Sequence, residues 1–116
     1  MKTTELMIGD KVMVKVLSQI PNTYVLHTWT ANDYSRDIQV KPIPLTSEIL
    51  EKNGWKDDGL WYEYQDDTST IQSCLPDMRG IINGIEIKEF QCKYVHQYQH
   101  LLRLCELNEL ADNFKV

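Results

Sequence analysis

The chain contains the stretch IINGIEI at residues 81–87, in which an Asn-Gly pair separates two short apolar runs. Such a pair accepts the positive φ angles of a two-residue turn, so it predicts a tight β-hairpin. After Ile87 the apolar residues change parity, because Phe90 and Cys92 fall on the opposite set of positions. A β-bulge or the end of the strand near Glu89 would account for this change. The stretch therefore predicts antiparallel sheet in the second half of the chain.

The segment after the hairpin has helical periodicity. Between residues 93 and 104 apolar residues recur at spacings of three and four, which places them along one side of a helix. They are Val95, Tyr98, Leu101 and Leu102, and Cys105 continues the series. Asn108 is a candidate cap for a further helical turn at residues 109–112. The sequence therefore predicts a C-terminal helix that packs one apolar stripe against the sheet.

The preceding part of the chain has mainly strand periodicity. Residues 11–16 alternate, with three valines on one face and Lys11 and Lys15 on the other, which is typical of a half-buried strand. Further strands are predicted at residues 24–30, 38–43, 60–64 and 69–75. In the strand at 60–64, Trp61 falls on the face opposite Tyr62 and Tyr64.

One short helix interrupts these strands. Thr46 is its predicted N-cap, Glu48 lies in the first turn and Lys52 in the last. Gly54 can adopt the left-handed conformation that ends a helix, and Trp55 supplies the apolar contact that often follows. This helix has only about two turns, so tertiary packing must hold it in place.

Together these patterns predict one α+β domain spanning residues 1–116. Its 42% hydrophobic and 25% charged residues are typical of a globular protein, and no apolar run is long enough to span a membrane. We expect a curled antiparallel sheet of about five or six strands, with a short central helix and a C-terminal helix. A partial SH3-like barrel is one form that such a sheet can take.

Charge and cysteine content indicate the kind of partner and compartment. The net charge is −5 and the 12 basic residues are scattered, so nucleic acid is not the expected partner. Cys74, Cys92 and Cys105 are odd in number and lack paired spacing, which favours free thiols in a reducing compartment. The sequence therefore predicts a cytoplasmic protein.

Catalytic and metal-binding motifs are weak. Cys92, His96 and His100 are spaced four residues apart, and two histidines at that spacing can bind one ion. However, Gln97 stands where a zinc protease has its glutamate, and clear third and fourth ligands are missing. Cys74 has no activating sequence beside it, and no glycine-rich phosphate loop exists. We therefore predict no cofactor, no metal and no enzyme, with a metal-dependent enzyme using His96 and His100 as the minor alternative.

Aromatic residues are concentrated in the middle of the chain. Trp29, Tyr34, Trp55 and Trp61 are the candidate binding residues, because exposed tryptophan and tyrosine often anchor protein interfaces. The alternative is that these residues belong to an aromatic core. A nucleic-acid-associated small barrel, with the same aromatics stacking on bases, is a second functional alternative.

Two segments resemble a family of small uncharacterised proteins from Bacteroidetes and their prophages or mobile elements. Residues 44–55 carry the pattern P-L-T-x-x-x-L-x-x-x-G-W, and residues 94–101 carry Y-V-H-Q-x-Q-x-L. The resemblance implies an intracellular protein of bacterial or phage origin, and it assigns no activity to any residue. The leading expectation is a non-enzymatic binding or accessory protein that contacts another protein through an aromatic surface.

Overall fold

The computed structural model describes residues 2–18, 23–59, 61–74 and 77–116. The predicted strand limits at residues 60 and 75 lie outside these ranges. The strands are β1 (Lys11–Val16), β2 (Val25–Thr28), β3 (Ile38–Lys41), β4 (Lys56–Asp57), β5 (Tyr62–Gln65), β6 (Thr70–Cys74), β7 (Asp77–Ile82) and β8 (Ile85–Gln91). The α-helices are α1 (Ser47–Lys52), α2 (Val95–Leu104) and α3 (Asn108–Asp112), and two short 3-10 helices lie at Thr3–Glu5 and Ala31–Ser35.

The described strands form two antiparallel sheets, which confirms the α+β class. The first has the order β2-β1-β3 and the second the order β4-β5-β6-β7-β8. Neither sheet closes into a barrel, and the strands predicted for one sheet are divided between the two. Pro42 directly follows β3 and has no N–H to donate, so ladder pairing ends there. The chain then passes through α1 and starts a new sheet.

The hairpin and bulge predicted from residues 81–87 are confirmed. The Asn-Gly pair between β7 and β8 has φ angles of 50° and 81°. Gly80 pairs with Ile87, whereas Met78 pairs with Phe90, so two residues of β8 oppose one residue of β7. This extra residue is the physical origin of the parity change in the sequence.

Both longer predicted helices are present. The Thr46 hydroxyl accepts a hydrogen bond from the Ile49 amide at 3.3 Å, and Gly54 ends α1 with a φ of 95°. The start of α2 has a cap that the sequence analysis missed. The Gln97 side-chain oxygen folds back and accepts hydrogen bonds from the amides of Lys93 and Tyr94.

The buried residues form two interiors. The larger one lies between the five-stranded sheet and α2; its buried side chains include Leu50, Trp55, Ile71, Ile82, Tyr98 and Leu102. The smaller one covers one face of the three-stranded sheet and is formed by Leu6, Val12, Val14 and Trp29. The molecule is elongated, measuring 46 × 25 × 24 Å. Among the described residues, no helix combines the length and the apolar character needed to cross a membrane.

Candidate functional sites

The four candidate aromatic residues do not share one surface. Trp29 and Trp55 are 0% and 2% exposed, and they lie in different interiors. The prediction that they belong to an exposed binding surface is therefore wrong. Trp29 packs edge-on against Tyr34, with ring centroids 5.4 Å apart, because the chain beyond β2 folds its 3-10 helix over the small interior.

Tyr34 is exposed and Trp61 is half-buried, and the two lie on separate parts of the molecule. The Tyr34 ring is about half exposed, and its hydroxyl donates a 2.6 Å hydrogen bond to the carbonyl oxygen of Leu6. Tyr34 therefore fastens the N-terminal segment. Tyr62 and Tyr64 pack against the large interior, whereas Trp61 lines the outer side of the five-stranded sheet. The predicted opposition of Trp61 to the two tyrosines is confirmed.

Trp61 lines an open concavity of about 1100 Å³, which we call the Trp61 concavity. Its floor is the outer face of β6, β7 and β8, where Cys74 is paired with Arg79 and Ile81 with Glu86. Lys88 also lines it. Among the described side chains, the surface combines the indole ring of Trp61 and the aliphatic side chain of Ile81 with the charged groups of Arg79, Glu86 and Lys88.

A second candidate site is a buried carboxylate at the junction between the two sheets. Asp10 follows the turn before β1 and its side chain is fully buried. One carboxylate oxygen accepts hydrogen bonds from His100 Nε2 at 2.6 Å and the Met7 amide at 2.8 Å. The other accepts from Arg103 Nη1 at 2.6 Å. Burial raises the pKa of Asp10, but these donors more than offset it and hold the pKa below its usual value.

Gln99 fastens the same junction through backbone groups. Its side-chain oxygen accepts a hydrogen bond from the Lys11 amide at 2.8 Å. Its nitrogen donates to the carbonyl oxygens of Gly9 and Ala111, at 3.1 and 2.8 Å. We call Asp10, Gln99, His100 and Arg103 the Asp10 clasp. Because α2 supplies three of these four side chains, the clasp joins the three-stranded sheet to the helix of the larger interior.

The Asp10–His100 pair lacks the third member of a catalytic arrangement. A carboxylate that orients a histidine is useful in catalysis when the histidine contacts a nucleophile. The described residues place no hydroxyl or thiol in hydrogen-bond contact with His100; its one recorded hydrogen bond is to Asp10. The hydrogen bond between Asp10 and His100 therefore helps to hold the junction between the two sheets.

His96 lies beside the clasp in a small cavity. Its ring is almost fully buried, stacks on Tyr94 and meets the ring of His100 edge-on at 5.6 Å. It lines a cavity of about 290 Å³ together with Glu5. Burial is the main cause that lowers the pKa of His96, so this imidazole is neutral near pH 7. Within the described part of the chain, its Nδ1 has no hydrogen-bond partner.

The predicted weak metal ligands do not form a site. The described residues include no group of three His, Cys, Asp or Glu side chains arranged to hold a metal ion. Burial raises the pKa of the Cys92 thiol to about 12, and a protonated thiol is a poor ligand and a poor nucleophile. His100 directs Nε2 at Asp10. His96 and His100 are therefore adjacent rings that belong to the packing around α2.

A second buried carboxylate, Asp33, was also missed by the sequence analysis. It accepts hydrogen bonds from the Thr30 amide at 2.7 Å and Arg36 Nη1 at 2.9 Å, and lies 2.6 Å from His27 Nε2. Burial raises its pKa, but these partners lower it further than burial raises it. The Thr-x-x-Asp spacing is a local capping signal that predicts this site. The partners of Asp10 lie far away in sequence, and no local signal predicts them.

Comparisons with protein-family models, with curated protein sequences and with solved structures find no match for this chain. The functional assignment must therefore come from the geometry of its own surfaces.

Proposed function

We propose that this protein is a non-enzymatic binding protein that contacts another protein through the Trp61 concavity. The observation that carries the proposal is the combination of the half-buried Trp61 with the exposed Ile81 and Arg79 around one open concavity. Tryptophan and arginine are enriched among the residues that contribute most to protein–protein affinity. The concavity is open across the face of a sheet, so it suits side chains of a partner better than an enclosed small ligand.

The proposal that the protein is not an enzyme is supported by the contacts of its buried carboxylate, imidazole and thiol groups. Asp10 and His100 hydrogen-bond to each other, and Arg103 balances the charge of the carboxylate. The Cys92 thiol stays protonated in the larger interior. These groups contribute to folding and leave no activated nucleophile among the described side chains.

Two alternatives have less support. The nucleic-acid proposal relied on exposed aromatics of a small barrel, but Trp29 and Trp55 are buried and both sheets are open. The metal-enzyme proposal relied on His96 and His100, whose geometry favours packing. The resemblance to prophage and mobile-element proteins supports an accessory role in a bacterium. The odd number of cysteines, which lack paired spacing in the sequence, supports a cytoplasmic location.

A comparative pull-down tests the proposal. The bait is the tagged chain as wild type, Trp61→Ala, Arg79→Glu and the control Leu104→Ala, which removes an apolar side chain exposed on α2. We expect a partner that the wild type and the control retain and both concavity variants lose. With the purified partner, each concavity variant should weaken Kd by at least about tenfold.

Arg79→Glu keeps the test valid if Trp61→Ala fails to fold, because Arg79 is exposed. A partner that binds all four baits with equal affinity would refute the assignment of the concavity. Copurification of a turnover activity that Asp10→Asn abolishes, in a variant that remains folded, would refute the non-enzymatic reading.

A further inference from the structure

A second surface with distinct chemistry lies on the three-stranded sheet. Lys11 and Lys15 of β1 share a face, opposite the valines that fill the small interior. In the register of β1 with β3, Lys41 is directly opposite Met13, which places it on the same face. We call the surface formed by Lys11, Lys15 and Lys41 the lysine face.

No acidic residue of β1, β2 or β3 offsets the positive charge of the lysine face, although Asp112 lines a concavity together with Lys11. The strands β1, β2 and β3 contain three lysines and neither aspartate nor glutamate, although the whole chain carries a net charge of −5. Among the described residues none of the three forms an ion pair. Lys11 Nζ instead donates to the Thr28 hydroxyl at 2.8 Å, and the other two ammonium groups lie 5.1 and 5.6 Å from the Tyr24 ring centroid. A surface of this kind favours a ligand of negative charge.

The same sheet has an unprotected edge. In the described structure β2 pairs with β1 on one side only, and it contains no lysine, arginine, aspartate, glutamate or proline. Val25 and Leu26 are 54% and 52% exposed, on opposite faces of the strand. Proteins usually blunt such edges with lysine, proline or a bulge, because an exposed apolar edge pairs readily with another extended chain.

The geometry points to β2 as the acceptor of an extended acidic segment from a partner protein. The segment adds a fourth strand to the sheet by backbone hydrogen bonds, which is a common mode of peptide recognition. Side chains of a strand alternate between faces. Carboxylates at one set of positions therefore meet the lysine face, and apolar side chains at the other set pack beside Val25.

Two other occupants fit less well. A second copy of this chain, paired β2 to β2, would bring two lysine faces together, and like charges across a pairing are unfavourable. A single-stranded nucleic acid would need the Tyr24 ring for stacking, but the ammonium groups of Lys15 and Lys41 already lie near that ring. The inference concerns a different sheet from the Trp61 concavity and does not depend on it.

Titration with a designed peptide tests the inference. The probe is an eight-residue peptide of alternating Glu and Val, and binding is followed by the backbone amide signals of the isotopically labelled 116-residue chain. We expect the largest shifts in β2 and tighter binding at low salt. The double variant Lys15→Glu/Lys41→Glu should weaken binding by at least about tenfold. Lys52→Glu, on α1, alters charge away from this sheet and should have little effect.

Backbone methylation separates strand addition from simple charge attraction. Methylating the peptide nitrogens that face β2 should abolish binding, whereas methylating those on the other edge should preserve it. Trp61→Ala should bind the peptide normally, so this test and that of the Trp61 concavity can fail separately. The inference is refuted if the Glu–Val peptide does not bind, if the two methylated peptides bind equally, if a thymidine oligonucleotide binds more tightly, or if sedimentation shows pairing of two copies through β2.

Discussion

Asp10 carries a charge that Arg103, 93 residues further along the chain, balances, and His100 hydrogen-bonds to the same carboxylate. A carboxylate in a dry interior is costly unless hydrogen-bond donors and opposite charge surround it. Here His100, Arg103 and the Met7 amide meet both requirements. Removing one partner of such a group leaves the other desolvated and unpaired, so the clasp residues should tolerate substitution poorly.

Asp10→Asn is expected to lower the free energy of unfolding by about 3 kcal/mol, because Arg103 then faces a neutral amide. Urea unfolding at neutral pH measures the change. Asp112→Asn is the matched control, since Asp112 contacts the same guanidinium from an exposed position at 3.4 Å. The control should change stability by less than about 0.5 kcal/mol. Equal effects of the two substitutions would contradict this account of the clasp.

The pH dependence of stability should follow from the same carboxylates. The pKa values of Asp10 and Asp33 are both lowered in the folded protein, so each contributes stability that is present above its unfolded pKa of about 3.9. This contribution is lost as the pH falls through the lowered folded values. We expect urea midpoints to be steady from about pH 6 to 5 and to drop below about pH 4. The decrease in the urea midpoint below about pH 4 should be smaller in Asp10→Asn than in the wild type. Identical pH profiles of the two proteins would exclude Asp10 as a source of the pH dependence.

At the scale of elements, features that depend on neighbouring residues were predicted correctly, whereas the pairing of strands distant in sequence was not predicted. The Thr46 cap and the Asn-Gly hairpin could be predicted because each signal and its effect lie within a few residues. The division into two sheets was not predicted, because strand periodicity does not specify which strands pair. For the candidate sites, alternation correctly placed Trp61 on the face opposite Tyr62 and Tyr64, but it did not predict which face lies outward. The burial of Trp29 and Trp55 depends on elements folded over them, which an aromatic count does not reveal.

Gly80 shows how closely two elements can approach. A Cβ at this position would lie 1.7 Å from the carbonyl oxygen of Gln72 in the neighbouring strand β6. Gly80→Ala should therefore force β6 and β7 apart and cost about 2 kcal/mol or more in the free energy of unfolding. Gly84→Asn is the control, because its site is open and asparagine tolerates the positive φ. A thermal unfolding midpoint for Gly80→Ala equal to that of the control would contradict the close approach.

At the scale of the whole molecule, we expect the two interiors to unfold as one cooperative unit. Their tryptophans are separate, with Trp29 in the small interior and Trp55 in the large one. The Asp10 clasp is a polar link between the two interiors, and in it the Gln99 side chain forms hydrogen bonds with three backbone groups. The cooperativity of unfolding should therefore depend on this side chain.

Gln99→Met should uncouple the two sheets, because it removes partners from the Lys11 amide and two carbonyl groups while keeping a similar volume. Amide hydrogen exchange provides the measurement. As the denaturant concentration rises, amide protection in the variant should be lost in β1–β3 well before it is lost in β5–β7. In the wild type, both groups of strands should lose protection at the same denaturant concentration. Gln65→Met, on the exposed side of β5, should leave the pattern unchanged, and uniform loss in Gln99→Met would contradict uncoupling.

The order in which a ribosome makes the chain gives the junction a further consequence. Asp10 is synthesised early, but the donors on α2 that neutralise it emerge only after every strand has been made. In the nascent chain, the Asp10 carboxylate therefore has no partner on α2, and burying it together with the valines of β1 is unfavourable. The N-terminal sheet should reach its native packing only in the last steps of synthesis, even though its own three strands are complete by residue 41.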